Sequence, residues 1–414
     1  MHDVLELVSS TRRINGSVQL PASKSISNRL LILEEISSGI VNGIGYSDAE
    51  DTQILQQLLH DKSNLAHAGA GGTTFRFLLA VLASTPGYEG VLEGSKRLME
   101  RPVAPLVDAL LLAGADIEYV DKPGYAPLRI RGKQLHGGKI NVDASLSSQF
   151  ITALLLIAPR MSAALELIPQ GDLISAPYIH MTVSLMKQCG FQVLQTDSSI
   201  LVQPFIPIHK IQIPVERDWS AASYWYACVA LSEKASLQLP GLTIQSLQGD
   251  SVCQEQFKKL GVLGVETAEG IVLQKIPLVK TDLDFNCLTT PDLFQTFAVT
   301  VAGLGLKASF TGLQSLPHKE TNRIEAVSKE LSKIGVKCTF DSNGTFKLDA
   351  SHMDPSRVLI TETYEDHRMA MAFSPLVLVL KKLAIRNPDV VRKSYPGFWT
   401  DIRRIGISFA EWNG

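Results

Sequence analysis

Six segments of this chain are apolar almost all the way round a helix, yet each opens on a polar or charged turn. They begin near Lys24 (SKSISNRLLILEEI), Thr73 (TTFRFLLAVLA), Ser147 (SSQFITALLLIA), Asp218 (DWSAASYWYACVAL), Pro291 (PDLFQTFAVTVAGL) and Asp366 (DHRMAMAFSPLVLVL). A helix without a polar face has to be buried among other elements. Six of them demand a fold that keeps helices inside. The intervals between their starts are 49, 74, 71, 73 and 75 residues. Between them runs a second helix type, amphipathic and ended by a glycine, at Arg101–Ala115, Ala176–Gly190, Ser251–Gly261 and Glu320–Gly335. The glycine reads as a left-handed C-cap. The alternation that follows, as in Val336–Phe340, reads as a half-buried strand. One interval therefore holds a strand–helix–strand–helix–strands unit, longer than the roughly 20–50 residues of a solenoid repeat. Six units divide into two domains of three, with the boundary expected near Ile213–Arg217.

Composition narrows the class. A length of 414 residues allows two to four domains at about 100–200 residues each. With 45% apolar and 19% charged residues, a large core is expected and wholesale disorder is excluded. A net charge of −2 leaves no basic excess for coating nucleic acid. The most apolar run, Met369–Leu380, has 12 residues and contains Ser374 and Pro375, too short to span a bilayer. The opening MHDVLELVSSTRR lacks a basic segment followed by an apolar one, so no signal peptide and a cytoplasmic location are expected. Cys189, Cys228, Cys253, Cys287 and Cys338 are odd in number and widely spaced. That argues against a disulfide framework or metal-ligand spacing and for small buried thiols.

The polar first turns carry the chemistry. Ser23, Ser147, Asp218 and Asp366 are ordinary N-cap types. Capping does not explain Lys24, Arg29, Arg76 or Arg368. A cation there opposes the helix dipole at a cost of about 0.3–1 kcal/mol, which makes sense when an anion sits at the helix start. Pro21–Arg29 supplies a lysine, an arginine and hydroxyls, but GxxxxGK[ST] is absent, so it is no P-loop. Gly69–Arg76 is glycine-rich, which lets backbone approach a ligand closely. Further polar runs are Glu100–Pro102, Ser147–Phe150, Thr289–Asp292, His318–Ile324, Tyr364–Met371 and Arg392–Trp399. In Thr289–Asp292, Thr290 is placed to cap and Pro291 suits the first helical position.

These eight segments, in this order from Pro21 to Trp399, resemble the 5-enolpyruvylshikimate-3-phosphate synthase family, and SKSISNR and DHRMAM are its most specific marks. The resemblance implies an α/β fold of two inside-out α/β barrel domains. Each would hold three βαβαββ repeats, with buried helices whose N-termini face the interdomain cleft. It implies residues 21–216 as an N-terminal, 3-phosphoshikimate-side domain, and residues 1–20 and 217–414 as a C-terminal domain completing the phosphoenolpyruvate site. The implied reaction moves the enolpyruvyl group of phosphoenolpyruvate to the 5-hydroxyl of 3-phosphoshikimate and releases phosphate. By motif match, Ser25, Arg29, Ser147, Ser148, Ser175, Tyr178 and Lys319, with Lys24 and Asp292, face 3-phosphoshikimate. Lys24, Gly72, Arg101, Gln149, Arg323, Arg368 and Lys393 face phosphoenolpyruvate. Asp292, Glu320 and Lys24 are the implied catalytic residues, Asp292 taking the hydroxyl proton and Glu320 acting at the vinyl carbon.

No metal or organic cofactor is implied, and a monomer acting on small molecules, without nucleic acid or membrane, is expected. Glyphosate is expected to compete with phosphoenolpyruvate, because Gly72 leaves room beside the glycine-rich loop. The chain departs from the family pattern at Ala70, where Asn is usual, at Asn322, where Asp is usual, at Ser315, and in SerAlaPro at 175–177. Two other readings stay open on the sequence. One is enolpyruvyl transfer to a UDP-amino sugar, for which the first motif would read Lys-Asn and a loop cysteine would precede Cys189. The other is a non-catalytic scaffold on the same fold.

Overall fold

A computed structural model describes residues 3–143, 147–171, 175–278, 283–341 and 344–412. The chain divides into two compact units, Ala22–Val215 and Met1–Pro21 with Glu216–Gly414.

In the 22–215 unit, the helices Lys24–Ile36, Gly72–Ala83 and Ser148–Ile157 pack on one another. All three are apolar around most of their circumference, and from Phe75 to Ala83 every residue is buried. The amphipathic helices Glu50–Asp61, Ala104–Leu112 and Ala176–Gln188 bury one face against them. Two four-stranded sheets complete the layer, one ordered Leu65–His67, Glu89–Glu93, Leu128–Arg131, Asp116–Tyr119. The other is ordered Gly138–Asp143, Leu165–Gln170, Ile200–Val202, Val193–Gln195. A parallel pair, Val41–Ile44 with Ile211–Pro214, joins the unit's early and late segments.

The other unit repeats the plan. The helices Trp219–Leu231, Phe294–Gly303 and His367–Phe373 pack together and are buried along nearly their whole length. Its three four-stranded sheets run Val262–Thr267, Gly270–Lys275, Lys234–Pro240, Arg13–Ser17; then Asp284–Asn286, Lys307–Thr311, Phe346–Asp349, Lys337–Phe340; then Val358–Thr361, Lys382–Arg386, Val4–Ser9, Ile407–Glu411. In all five four-stranded sheets among the described residues, one parallel pairing adjoins two antiparallel ones. Phe285, Phe294, Phe297, Phe310 and Phe346 interlock with ring centroids 4.9–6.0 Å apart. Truncating one such ring to alanine costs about 3–5 kcal/mol.

The six buried helices begin within three residues of their sequence-derived starts. Gly114, Gly190, Gly261 and Gly335 have φ of 91°, 79°, 82° and 86°, the left-handed caps the amphipathic helices require. Two starts differ. The helix expected from Arg101 begins at Ala104, leaving Arg101 in the connection before it. The helix expected from Glu320 begins at Arg323, because Asn322 caps it by accepting from Glu325 N at 3.4 Å. Both shifts leave a charged residue, Arg101 or Glu320, in the connection ahead of the helix. Thr290 makes no side-chain cap. A single tight turn, Pro291–Leu293, precedes the helix there and is closed by Leu293 N donating to Thr290 O at 3.0 Å. Among the described residues no helix is long and apolar enough to cross a membrane. The five cysteines are free thiols, four of them buried.

Candidate active site

In the 22–215 unit, the candidate residues gather at helix starts. Ser23 caps the first helix by accepting from Ile26 N, which places Lys24 on its first turn with Nζ 2.8 Å from Asp51 Oδ2. Asp51 in turn lies against the glycine-rich loop, where its backbone carbonyl accepts from Thr74 Oγ1 at 2.8 Å. A Cβ on Gly72 would stand 2.7 Å from Nη1 of both Arg76 and Arg101. Gly72 is thus the contact across which two guanidiniums converge, and a side chain there would push on both. Arg76 Nη1 donates to Gln149 Oε1 at 2.7 Å, and Gln149 Nε2 donates to Thr73 Oγ1 at 2.9 Å. Ser147 caps the Ser148 helix through Gln149 N at 3.3 Å. Lys24, Gly72, Arg101 and Gln149 therefore lie along one connected set of contacts through Asp51, Thr74, Arg76 and Thr73.

Arg29 forms a second group one turn along. It is 2% exposed. Nε donates to Thr182 Oγ1 at 2.8 Å, Nη1 to Ser25 O at 2.8 Å, and Nη2 to Tyr178 O at 3.2 Å. The Phe77 and Tyr178 rings flank it with centroids 5.6 and 5.9 Å from Cζ. Burial lowers its pKa to about 10, since neutral acceptors do not offset lost hydration as an anion would. Ser175 opens the Tyr178 helix in the left-handed conformation (φ 60°), so Arg29, Ser25, Ser175 and Tyr178 come together on adjoining helices.

The other unit builds an ionic cluster around Asp292, which sits in the tight turn before the Phe294 helix. Its Oδ1 accepts from Arg323 Nη1 at 2.7 Å and Lys319 Nζ at 3.4 Å, and its Oδ2 from Arg368 Nη2 at 2.8 Å. Burial would raise the Asp292 pKa. Arg368, Lys319 and Arg323 more than offset it and hold the group well below the ordinary carboxylate range. Arg323, 1% exposed, is the hub. It also binds Glu320 Oε2 through Nη2 at 2.9 Å and Asp366 Oδ2 through Nε at 2.8 Å. Burial works to lower its pKa, but Asp366, Glu320 and Asp292 outweigh that and raise it. Arg368 Nη1 donates to Tyr224 Oη at 3.2 Å. Lys393 stands slightly apart, with Nζ on Glu365 O at 2.8 Å. Asp292, Lys319, Glu320, Arg323 and Arg368 are thus within one ion-pair network.

Two carboxylates, and one contact of a third, carry no clear mark in the sequence. Asp51 pairs with Lys24 across 27 positions, a distance at which local pattern holds no signal. Asp366 is legible as an N-cap, and it does cap, through Arg368 N at 2.9 Å. Its second oxygen, on Arg323, is not legible. Asp250, 2% exposed, accepts from Ser220 Oγ and leaves Oδ1 without a partner. Burial, then the charge of Asp292, raises its pKa to about 6. Among the described residues no group of three or more His, Cys, Asp or Glu side chains could hold a metal ion.

Comparison with known proteins points the same way. Residues 52–402 match the model of the EPSP synthase (3-phosphoshikimate 1-carboxyvinyltransferase) family. A 3-phosphoshikimate 1-carboxyvinyltransferase of Bacteroides fragilis is 44% identical over 402 residues, covering 97% of this chain and 98% of that protein. One from Pasteurella multocida is 34% identical, covering 95% and 96%. Among solved structures, an EPSP synthase from Acinetobacter baumannii superposes with a TM-score of 0.75 at 20% identity over 99% of this chain and 100% of the other. The enolpyruvyl transferase NikO from Streptomyces tendae does so at 0.73 and 14% identity, covering 98% of each. Both have the same mixed α/β architecture of several small sheets.

Proposed function

The chain belongs to the EPSP synthase family, and from that premise we propose how its residues divide the work of one reaction. The enzyme transfers the enolpyruvyl group of phosphoenolpyruvate to the 5-hydroxyl of 3-phosphoshikimate, giving 5-enolpyruvylshikimate 3-phosphate and phosphate on the route to chorismate and the aromatic amino acids. In this reading each unit is an inside-out α/β barrel of three repeats. Residues 21–216 form the 3-phosphoshikimate side, and residues 1–20 with 217–414 complete the phosphoenolpyruvate site.

Both substrates carry a phosphate and a carboxylate, so cations must dominate where they bind. Ser25, Arg29, Ser147, Ser148, Ser175, Tyr178 and Lys319 take 3-phosphoshikimate. Lys24, Gly72, Arg101, Gln149, Arg323, Arg368 and Lys393 take phosphoenolpyruvate. The chemistry needs a base for the 5-hydroxyl and an acid for the vinyl carbon in the same place. Protonating that carbon leaves positive charge on its neighbour, which the 5-oxygen captures. Loss of a proton from the new methyl group and departure of phosphate then restore the double bond. Asp292 accepts the hydroxyl proton, Glu320 serves the vinyl carbon, and Lys24 offsets charge on the departing phosphate.

The observation that carries this reading is the ring of Arg323, Arg368 and Lys319 around Asp292. As the cluster stands, Asp292 is a weak base. Anionic substrates that draw Arg368 and Lys319 toward themselves remove part of what holds its pKa down, so basicity rises when substrate arrives. Guanidinium and ammonium groups thereby supply the positive charge the reaction requires, and the enzyme is read as a cytoplasmic monomer using no metal or organic cofactor. The deciding test is phosphate release on mixing the two substrates, with and without a chelator. Release with a UDP-amino sugar as acceptor in place of 3-phosphoshikimate, or no release with either, would replace this reading.

A further inference from the structure

Between the strand Val358–Thr361 and the helix His367–Phe373 the chain reverses in a tight turn. Asp366 N donates to Thr363 O at 2.8 Å. The two central residues, Tyr364 and Glu365, have φ of 52° and 57°. Two positive φ values in succession are the pattern that Asn-Gly pairs usually supply, and side chains with a Cβ resist it. Something must hold a Tyr-Glu pair there.

The holding contacts are specific. Tyr364 Oη donates to Glu330 Oε1 at 2.6 Å. Glu330 has no exposed surface, and its Oε2 accepts from Glu362 N at 3.1 Å and from Lys333 Nζ. Lys329 Nζ lies 5.8 Å from the centre of the Tyr364 ring. On the far side of the turn, Lys393 Nζ takes the Glu365 carbonyl. The turn delivers the chain directly to Asp366, with one oxygen on Arg368 N and the other on Arg323 Nε. Burial, then the bond to Glu330, raises the Tyr364 pKa above its ordinary value, so the hydroxyl stays a donor across the neutral range.

We infer that Tyr364 and Glu330 are positioning residues for phosphoenolpyruvate: together they hold the Thr363–Asp366 turn in its left-handed form. That form sets Asp366 against Arg323 and presents the Glu365 carbonyl to Lys393. The inference rests on the proposed assignment of Arg323, Arg368 and Lys393 to phosphoenolpyruvate. It adds a specificity element two contacts removed from the ligand, built from a phenol and a buried carboxylate.

Tyr364→Phe removes one hydroxyl and little else. The expected result is a KM for phosphoenolpyruvate raised about tenfold, the scale of one lost hydrogen bond to a charged group, with the KM for 3-phosphoshikimate nearly unchanged. Glu330→Gln, which keeps the volume, should move the same constant in the same direction. Adding Glu365→Gly to Tyr364→Phe supplies a residue that adopts the turn unaided, and should return the constant most of the way. An unchanged phosphoenolpyruvate KM in Tyr364→Phe, an equal rise for both substrates, or no recovery in the double variant would overturn the proposal. Lys393→Ala run alongside separates the two layers. If it leaves the phosphoenolpyruvate KM untouched, the site assignment is at fault rather than the turn.

Discussion

Arg29 and Arg323 are both buried to within 2% of full exclusion, and their surroundings push them in opposite directions. Arg323 meets three carboxylates, and its charge is used in holding Asp292, Glu320 and Asp366. Arg29 meets two carbonyls, a hydroxyl and two aromatic rings, and burial lowers its pKa to about 10. The contrast separates two uses of a buried cation. One neutralises acids the protein itself carries and so fixes how they sit. The other meets only neutral partners and, in the proposed reading, is left to pair with an arriving anion.

Arg323→Met should be the most damaging change. It leaves Asp366 buried without its cation, a loss of about 3–5 kcal/mol, visible as a lower denaturation midpoint. A stable Arg323→Met protein would erase the contrast. Asp292→Asn keeps the size of the side chain and removes the proposed base. Turnover should drop roughly 10²-fold or more while 3-phosphoshikimate affinity, by titration calorimetry, moves little. Near-normal turnover would transfer the base to another residue.

Asp250 is a buried acid that its surroundings push toward the neutral form. Its folded pKa of about 6 lies above the ordinary value near 4. The folded protein therefore binds the extra proton, and the associated stability is present below about pH 4 and lost as pH rises through about 6. Asp250→Asn should stabilise the protein by up to about 3 kcal/mol above pH 6 and flatten melting temperature against pH between 4 and 6. A lower melting temperature at pH 8 would show that the carboxylate is needed ionised. Arg29→Met should cost about 1.5–3 kcal/mol of 3-phosphoshikimate binding, the worth of charge-assisted hydrogen bonds. Its melting temperature should hold or rise. Equal instability in Arg29→Met and Arg323→Met would mean that Arg29 is structural too. Gly72→Ala is the mildest. Its methyl displaces Arg76 and Arg101 at the flexible ends of their side chains, so phosphoenolpyruvate KM should rise only a few-fold, by about 1 kcal/mol, and glyphosate inhibition should weaken more. Unchanged constants for both would mean that the loop does not feel those guanidiniums.

How much the sequence discloses depends on the range of each signal. Helices apolar on all sides are visible in a dozen residues, and glycine ends mark where amphipathic helices stop, so the buried set and its spacing are legible. Candidate sites at helix starts are legible for the same reason: a lysine or arginine in a first turn conflicts with the local dipole. Sheet order is not, since nothing in Asp284–Asn286 says that it pairs in parallel with Lys307–Thr311. Nor are Asp51, Asp250 and the Arg323 contact of Asp366, whose partners lie 27 to 43 positions away. The Tyr364–Glu365 turn is hidden more deeply. Its residues are poor turn formers, and the Glu330 carboxylate that accepts from Tyr364 Oη lies more than thirty positions earlier.

The strand Val4–Ser9 lies between Lys382–Arg386 and Ile407–Glu411, which gives the molecule a history on the ribosome. At about 5–20 residues per second, this strand waits roughly 20–80 s for both neighbours to be made. Within residues 22–215 the corresponding wait is shorter: at the same rate Val41–Ile44 waits roughly 8–35 s for Ile211–Pro214. The sheet that the opening strand joins is thus the last of the described sheets to have all its strands made.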